Sequence, residues 1–200
     1  MGRHTGTGED GSVTDVDITP SIDELLPTVP TTTDGALAMF DAAEPVEPDF
    51  MIGTWRGAEL PTGHPLDGLL EASGWWGKQF VDAETVHPLL IRAGATRWAM
   101  NPGLVPMRLG TAVAIPARLA PMLRRAVAVL RPVLQTRTAR ARLRATSYRG
   151  VVTAAMVYDQ LPVIDFFRKI SDDVVIGAMD LRGTPLPYFF VLQRWDAFNS

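Results

Sequence analysis

The sequence predicts an α+β fold that is mainly β, with antiparallel strands in a compact sheet or barrel and a few short helices. Three observations predict it. Short apolar runs such as "VHPLLIRAG", "TRWAMNPG" and "MRLGTAVAIP" recur between Gly and Pro punctuation, the rhythm of strands joined by turns. Strict alternation in "ARARLRATSYRG" sets Arg140, Arg142 and Arg144 against Ala141, Leu143 and Ala145, which is a half-exposed strand. One segment, "PARLAPMLRRAVAVLRPVLQ", instead follows a helical period.

In chain order, residues 1 to about 33 are rich in Gly, Thr, Asp and Pro, a composition expected of a flexible acidic tail. Asp34 before "GALAMFDAA" predicts an N-capped helix that Leu37, Met39 and Phe40 pack down. "EPVEPD" breaks it and leads into a strand, "FMIGTWRGAEL", where Met51, Gly53, Trp55 and Gly57 share one face. Glycines beside a tryptophan imply close backbone approach to the ring. "PLDGLLEASGWWGKQF" predicts a short helix ending near Gly74.

On a helical wheel at 100° per residue, Leu119, Met122, Leu123, Ala126, Val127 and Leu130 fall on one arc and the arginines on the other. Core packing or attachment to a membrane surface would both use such a face. "VVTAAMVYD", "DDVVIGAMD" and "LPYFFVLQR" predict three further strands. They are separated by "PVIDFFRKI", read as a Pro-started amphipathic turn, so the last third is expected to be an antiparallel meander with one helical insert.

A chain of 200 residues, 46% hydrophobic and 20% charged, can bury a real core. It has no cysteine, which removes disulfides, thiolate nucleophiles and Cys-ligated metals. No signal peptide or membrane span is evident, so a cytoplasmic location is expected. The net charge of −3 hides segregation: residues 1 to 50 hold eleven carboxylates and only Arg3, whereas Thr85 to Tyr158 hold twelve arginines and no carboxylate. Two lysines, no basic run interleaved with aromatics and no recognisable motif argue against nucleic acid as a partner. No phosphate-binding glycine loop, nucleophile elbow or zinc signature appears.

Gly53, Trp55 and Gly57 in "GTWRG", followed by "TGHPLDG" and "GWWGK", closely resemble the small family named GXWXG after that pentapeptide. The later block "YRGVVTAAMVYDQLPVIDFFRKISDDVVIGAMD" with "YFFVLQR" resembles the companion domain of unknown function that follows it in one chain. The resemblance covers about Gly35 to Arg194, with a GXWXG region over 34–110 and a companion region over 111–200, both expected in one compact barrel. A Gly-x-Trp pattern near the first strand is also similar to calycin-type barrels, among them lipocalins and haem-binding nitrobindins. That resemblance implies a calycin/lipocalin-like antiparallel β-barrel with an apolar pocket, one end plugged by tryptophan. Outside the tail the histidines are His64 and His87 alone, which argues against haem and leaves no expected cofactor. The chain is further similar to small cofactor-free bacterial lyases acting on α-pinene oxide. This implies a cofactor-independent lyase or isomerase that opens a small apolar, terpenoid epoxide-like substrate by acid-base chemistry.

Several residues carry that expectation. His64, with Asp67 three residues on, is either part of a local cap or an acid-base group whose ring Asp67 orients. No third ligand is spaced for a metal. Asp165, among Val163, Ile164, Phe166 and Phe167, reads as a desolvated acid with a raised pKa, suited to protonating an epoxide oxygen; Asp159 suits a cap. Lys78 either holds a developing oxyanion or pairs on the surface. Trp55 is expected as a structural plug that also borders the substrate, with Tyr158, Trp76, Phe166 and Met179 completing the wall. The same pocket without chemistry would be a lipocalin-like carrier or sensor of a hydrophobic ligand. The partners expected are a small apolar molecule, no nucleic acid, no stable membrane insertion, and a second copy in a homodimer.

Overall fold

The alternating run at Gly53 becomes a strand paired on one side with the next strand in sequence and on the other with the last one. A computed structural model describes residues 22, 26, 32–104 and 117–195. Its strands are β1 (Glu44–Pro45), β2 (Gly53–Leu60), β3 (Trp75–Phe80), β4 (Val86–Ala93), β5 (Thr96–Ala99), β6 (Ala141–Tyr148), β7 (Val151–Tyr158), β8 (Val163–Ser171), β9 (Val174–Leu181) and β10 (Tyr188–Arg194). They form one 10-stranded sheet in the order β1-β8-β7-β6-β4-β3-β2-β10-β9, with β5 branching from β4. Because β8 also pairs with β9, the path returns on itself and the sheet makes a ring. All pairings are antiparallel, so the mainly β reading holds. The weakest join is β4 to β6, where Val86 opposite Ala141 is the register pair.

The inside of the ring is apolar because alternate residues point there. On β2 these include Trp55, which joins Phe80, Phe167, Val175 and Leu192 in one buried cluster. A second buried layer lies outside the ring, where α1 (Thr33–Ala42) sets Ala36 and Phe40, one turn apart, against Leu60, Phe166, Ala178 and Phe189. The N-cap of α1 is Thr32, whose side chain accepts from the Gly35 N–H at 3.2 Å; Asp34, expected as the cap, sits inside the first turn.

The segment expected as a helical insert, "PVIDFFRKI", is strand β8. Val163, Asp165 and Phe167 point one way and Ile164, Phe166 and Arg168 the other, and helix α1 covers the outer set. With both faces buried, the polar-out half of the pattern disappears. Helix α2 (Leu69–Ser73) ends as expected, at Gly74 in the left-handed conformation with φ 81°.

Helices α3 (Ala120–Val129) and α4 (Arg131–Leu134) follow the amphipathic segment. Leu123, Val127 and Leu134 dock on the body of the protein, whereas Leu119, Met122 and Leu130 of the expected apolar arc stay exposed, as do Val129 and Val133 outside it. The strand expected at "MRLGTAVAIP" falls outside the described residues. So does most of the stretch expected to be a tail. At Ile22 that stretch is fully buried against Val174 and Val191, and the Ile22 N–H donates to Gln193 Oε1 at 3.0 Å.

Candidate functional site

Trp55 is buried inside the ring toward the end where β2 begins. Its indole N–H donates to the Met51 carbonyl at 2.8 Å, and the Arg194 guanidinium lies 4.3 Å over its ring while donating to the carbonyls of Ile52 and Phe50. At the other end the strand termini at Tyr158, Val163 and Tyr188 surround a cavity of about 80 Å³. Leu66, Leu69, Leu70 and Ser73 form its wall on the α2 side. Its lining is apolar apart from Ser73, the two tyrosines, Lys78 and Asp165.

Lys78 and Asp165 are the chemical centre of that wall. Lys78 Nζ donates to Asp165 Oδ2 at 2.8 Å, with side chains only 3% and 1% exposed. The ammonium also donates to the Pro88 carbonyl at 3.4 Å and sits 4.8 Å over the ring of Phe190, 5.5 Å over Trp75 and 5.9 Å over Tyr158. Three aromatic faces thus surround the ammonium group, an arrangement that attracts a cation. Within 3.5 Å neither Asp165 Oδ1 nor the Tyr188 hydroxyl has a hydrogen-bond partner; the Tyr158 hydroxyl and the Glu59 carboxylate are their respective polar neighbours. Burial pushes the Asp165 carboxyl above its ordinary range, opposed by Lys78 and by the neighbouring Tyr158 hydroxyl. Burial likewise raises Tyr158 well above 10, with the Asp165 charge adding to it, and raises Tyr188, with Glu59 adding. Lys78, Asp165, Tyr158 and Met179, named from the sequence, therefore meet at one cavity.

The other sequence candidates lie elsewhere. Asp67 Oδ2 accepts the backbone N–H groups of Thr62, Gly63 and His64 at 2.8 to 3.0 Å, which is a turn cap. His64 Nδ1 accepts the Leu66 N–H at 3.1 Å, its ring packs edge-on to Tyr188 at 5.5 Å, and it is not among the residues lining the cavity. Burial lowers its pKa. The capping alternative is the one this geometry matches. Phe166 belongs to the outer layer under α1 and stacks on Tyr148 at 4.0 Å. Trp76 points away from the cavity, packed against Trp195 with Arg97 4.4 Å over its ring. Trp55 is inside the ring but at the end opposite the cavity. Among the described residues, no group of three His, Asp or Glu side chains is placed to hold a metal.

Sequence reasoning missed Trp75, Tyr188, Phe190 and the leucines of α2. It also missed Glu59, whose carboxylate accepts from the N–H groups of Gly68, Leu70 and Glu71 and so fastens α2 over the cavity. Burial raises the Glu59 pKa while those N–H groups oppose it. The signal for Glu59 was its parity with Trp55 and Gly57: an inward-facing carboxylate on a strand needs a partner.

Residues 38–95 match the family model described as GXWXG protein, and residues 139–194 match the one described as domain of unknown function DUF4334. No curated protein matches the chain. A crystal structure of a protein from Thermomonospora curvata is 34% identical, over 79% of this chain and 84% of that one, with a TM-score of 0.58.

Proposed function

We propose that this chain, which belongs to the GXWXG family and carries its companion C-terminal domain, is a cofactor-independent lyase or isomerase of a small apolar, terpenoid epoxide-like substrate. The observation that carries this reading is the buried Lys78–Asp165 pair facing an otherwise apolar cavity, with one carboxylate oxygen unpartnered. A buried ion pair contributes little net stability compared with apolar residues of the same volume. An unsatisfied buried carboxylate oxygen costs more still. Such an arrangement is what a site for acid-base chemistry requires.

In this reading Lys78 and Asp165 divide the work, and the acid is the lysine. Lys78 gives a proton to the epoxide oxygen as the C–O bond breaks and its electron pair goes to oxygen. The carbocation is faced by the rings of Phe190, Tyr158 and Tyr188, and cleavage of the adjacent strained C–C bond moves the charge. The rearranged cation loses a proton to Asp165 Oδ1, whose raised pKa makes it a stronger base. That proton returns to Lys78 when the carboxyl group turns to bring Oδ1 to Nζ, which in the resting pair meets Oδ2 at 2.8 Å. The product is an isomer of the substrate, and no cofactor or redox partner enters the balance. The ring of strands is, in this proposal, a calycin-like barrel plugged by Trp55, and the protein acts in the cytoplasm.

Gas chromatography of purified protein with α-pinene oxide tests the proposal. Lys78→Met and Asp165→Asn are each expected to lower turnover at least about a hundredfold, while His64→Gln keeps it. Full turnover by both pair variants would remove the site. Tight binding of the epoxide with no turnover by the unaltered protein would instead make the cavity that of a carrier or sensor.

A further inference from the structure

Helices α3 and α4 present a second apolar face that no other described residue covers. Leu123, Val127 and Leu134 are turned inward. Met122, Val129 and Val133 are 69%, 70% and 69% exposed, and Leu130 and Leu119 are 51% and 42% exposed. At 100° per residue, Met122 and Val129 of α3 fall on one narrow stripe with Leu119 and Leu130 along one edge, and Val133 follows on α4. Five large apolar side chains left in water along one helical face are unusual on an ordinary surface.

Arginines border that stripe. Arg118 and Arg125 lie on its edge and are exposed. Arg124 turns the other way and donates to the Glu71 carbonyl at 3.0 Å and 3.1 Å, which ties α3 to α2. Arg124 and Arg125 also border a surface groove of about 620 Å³ that continues to Arg92. Glu71 shares that groove, with its carboxylate paired to Arg124 at 3.5 Å, whereas Arg118 and Arg125 stay exposed beside the stripe, so the charge bordering this face is positive on balance and its complement is anionic.

We propose that the exposed face of α3 and α4 docks on the surface of an anionic lipid bilayer. The apolar stripe enters the acyl boundary, and Arg118 and Arg125 meet headgroup phosphates. The helices lie on the bilayer without spanning it; no described helix is long and apolar enough to cross a membrane. This attachment stands on its own, whether or not the cavity is catalytic. It also places α2, the wall of the cavity, directly behind the docked helix, because α3 holds the C-terminal end of α2. An apolar molecule dissolved in the lipid would then meet the protein at the cavity wall.

Flotation of the full chain with phosphatidylcholine vesicles, with and without phosphatidylglycerol, tests the attachment. The protein is expected to float with the anionic vesicles, less so at high salt, and to stay behind with phosphatidylcholine alone. Met122→Ser combined with Val129→Ser should weaken binding at least about tenfold. Arg118→Gln and Arg125→Gln should each weaken it about fivefold. These positions are exposed, and circular dichroism should show an unchanged fold. No flotation with anionic vesicles, or equal flotation of the Ser variant, overturns the proposal. A concentration-dependent dimer in sedimentation that the Ser variant abolishes would assign the face to a second copy of the chain and overturn it as well.

Discussion

The Trp75 indole lies across the backbone of Gly57, so close that a β-carbon built at 57 would overlap the ring. The second glycine of the pentapeptide is thus the seat of a tryptophan from the next strand. That tryptophan packs edge-on to Phe190 with ring centroids 6.0 Å apart and lies 5.5 Å beneath Lys78 Nζ. Gly57→Ala is expected to destabilise the fold by about 1–3 kcal/mol through overpacking and to lower turnover by moving Trp75 against Lys78. Urea denaturation measures the first effect and gas chromatography the second. An alanine variant as stable as the parent would mean that the ring is not held there.

Removing one member of the Lys78–Asp165 pair strands the other. Lys78→Met is expected to cost about 3–5 kcal/mol, and the double variant Lys78→Met, Asp165→Leu to recover much of that loss while remaining inactive. A double variant no more stable than the single one would show that the pair itself holds the ring together.

The pair also has a pH signature. Burial raises the folded-state pKa of Asp165 above its ordinary 3.8. Its contribution to stability is therefore complete below that ordinary value and is lost as pH rises through the elevated one. Relative to Asp165→Asn, the parent should gain stability as pH falls from neutral toward 4. Glu59 shifts in the same direction but is present in both proteins, so it cancels. A difference that does not change with pH would contradict the raised carboxyl.

His64 has the opposite sign. Burial lowers its pKa below 6.5, against the pull of the Asp67 charge, with the Tyr188 ring beside it. The neutral ring is favoured, so this contribution is full above 6.5 and lost as pH falls through the depressed value. His64→Gln should flatten the loss of stability on the acid side of 6.5. His87, also lowered by burial, is unchanged in the comparison. Asp67→Ala, which abandons three backbone N–H groups, should cost about 1–2 kcal/mol. Neither variant should change turnover at neutral pH; a large loss by His64→Gln would return the histidine to the chemistry.

The sequence made Asp165 legible because a carboxylate among Val163, Ile164, Phe166 and Phe167 has no route to water. Lys78 was legible as one of two lysines, although its partner, 87 positions away, was not. Parity failed where both faces of a strand are covered: Phe166 and Phe167 are equally apolar, and only the position of α1 decides which one faces outward. It failed again on β3, where register shifts at Gly77 turn Trp75 inward and Trp76 outward. A bulge of this kind leaves no mark on a hydrophobic pattern. For His64 and Asp67 the sequence left two readings open, because an acid-base pair and a turn cap use the same residue types at the same spacing.

Cavity size carries the last prediction. About 80 Å³ is roughly half the ~150 Å³ that admits benzene into an engineered apolar cavity, so a ten-carbon epoxide needs the wall to move. The movable wall is α2, five residues long and fastened by Glu59 at one end and Arg124 at the other. A helix that short has little stability of its own, and loosening it costs mainly those hydrogen bonds. Binding of the epoxide to Asp165→Asn protein, which cannot turn it over, should therefore increase amide exchange over Leu69–Ser73. Adding Leu69→Ala, which removes bulk from the cavity lining, should strengthen binding and abolish the exchange change, because the ligand then fits without displacing the helix. If exchange over α2 is unaffected by ligand in both backgrounds, the substrate enters elsewhere, and the seam between β4 and β6, with its single register pair at Val86 and Ala141, becomes the gate.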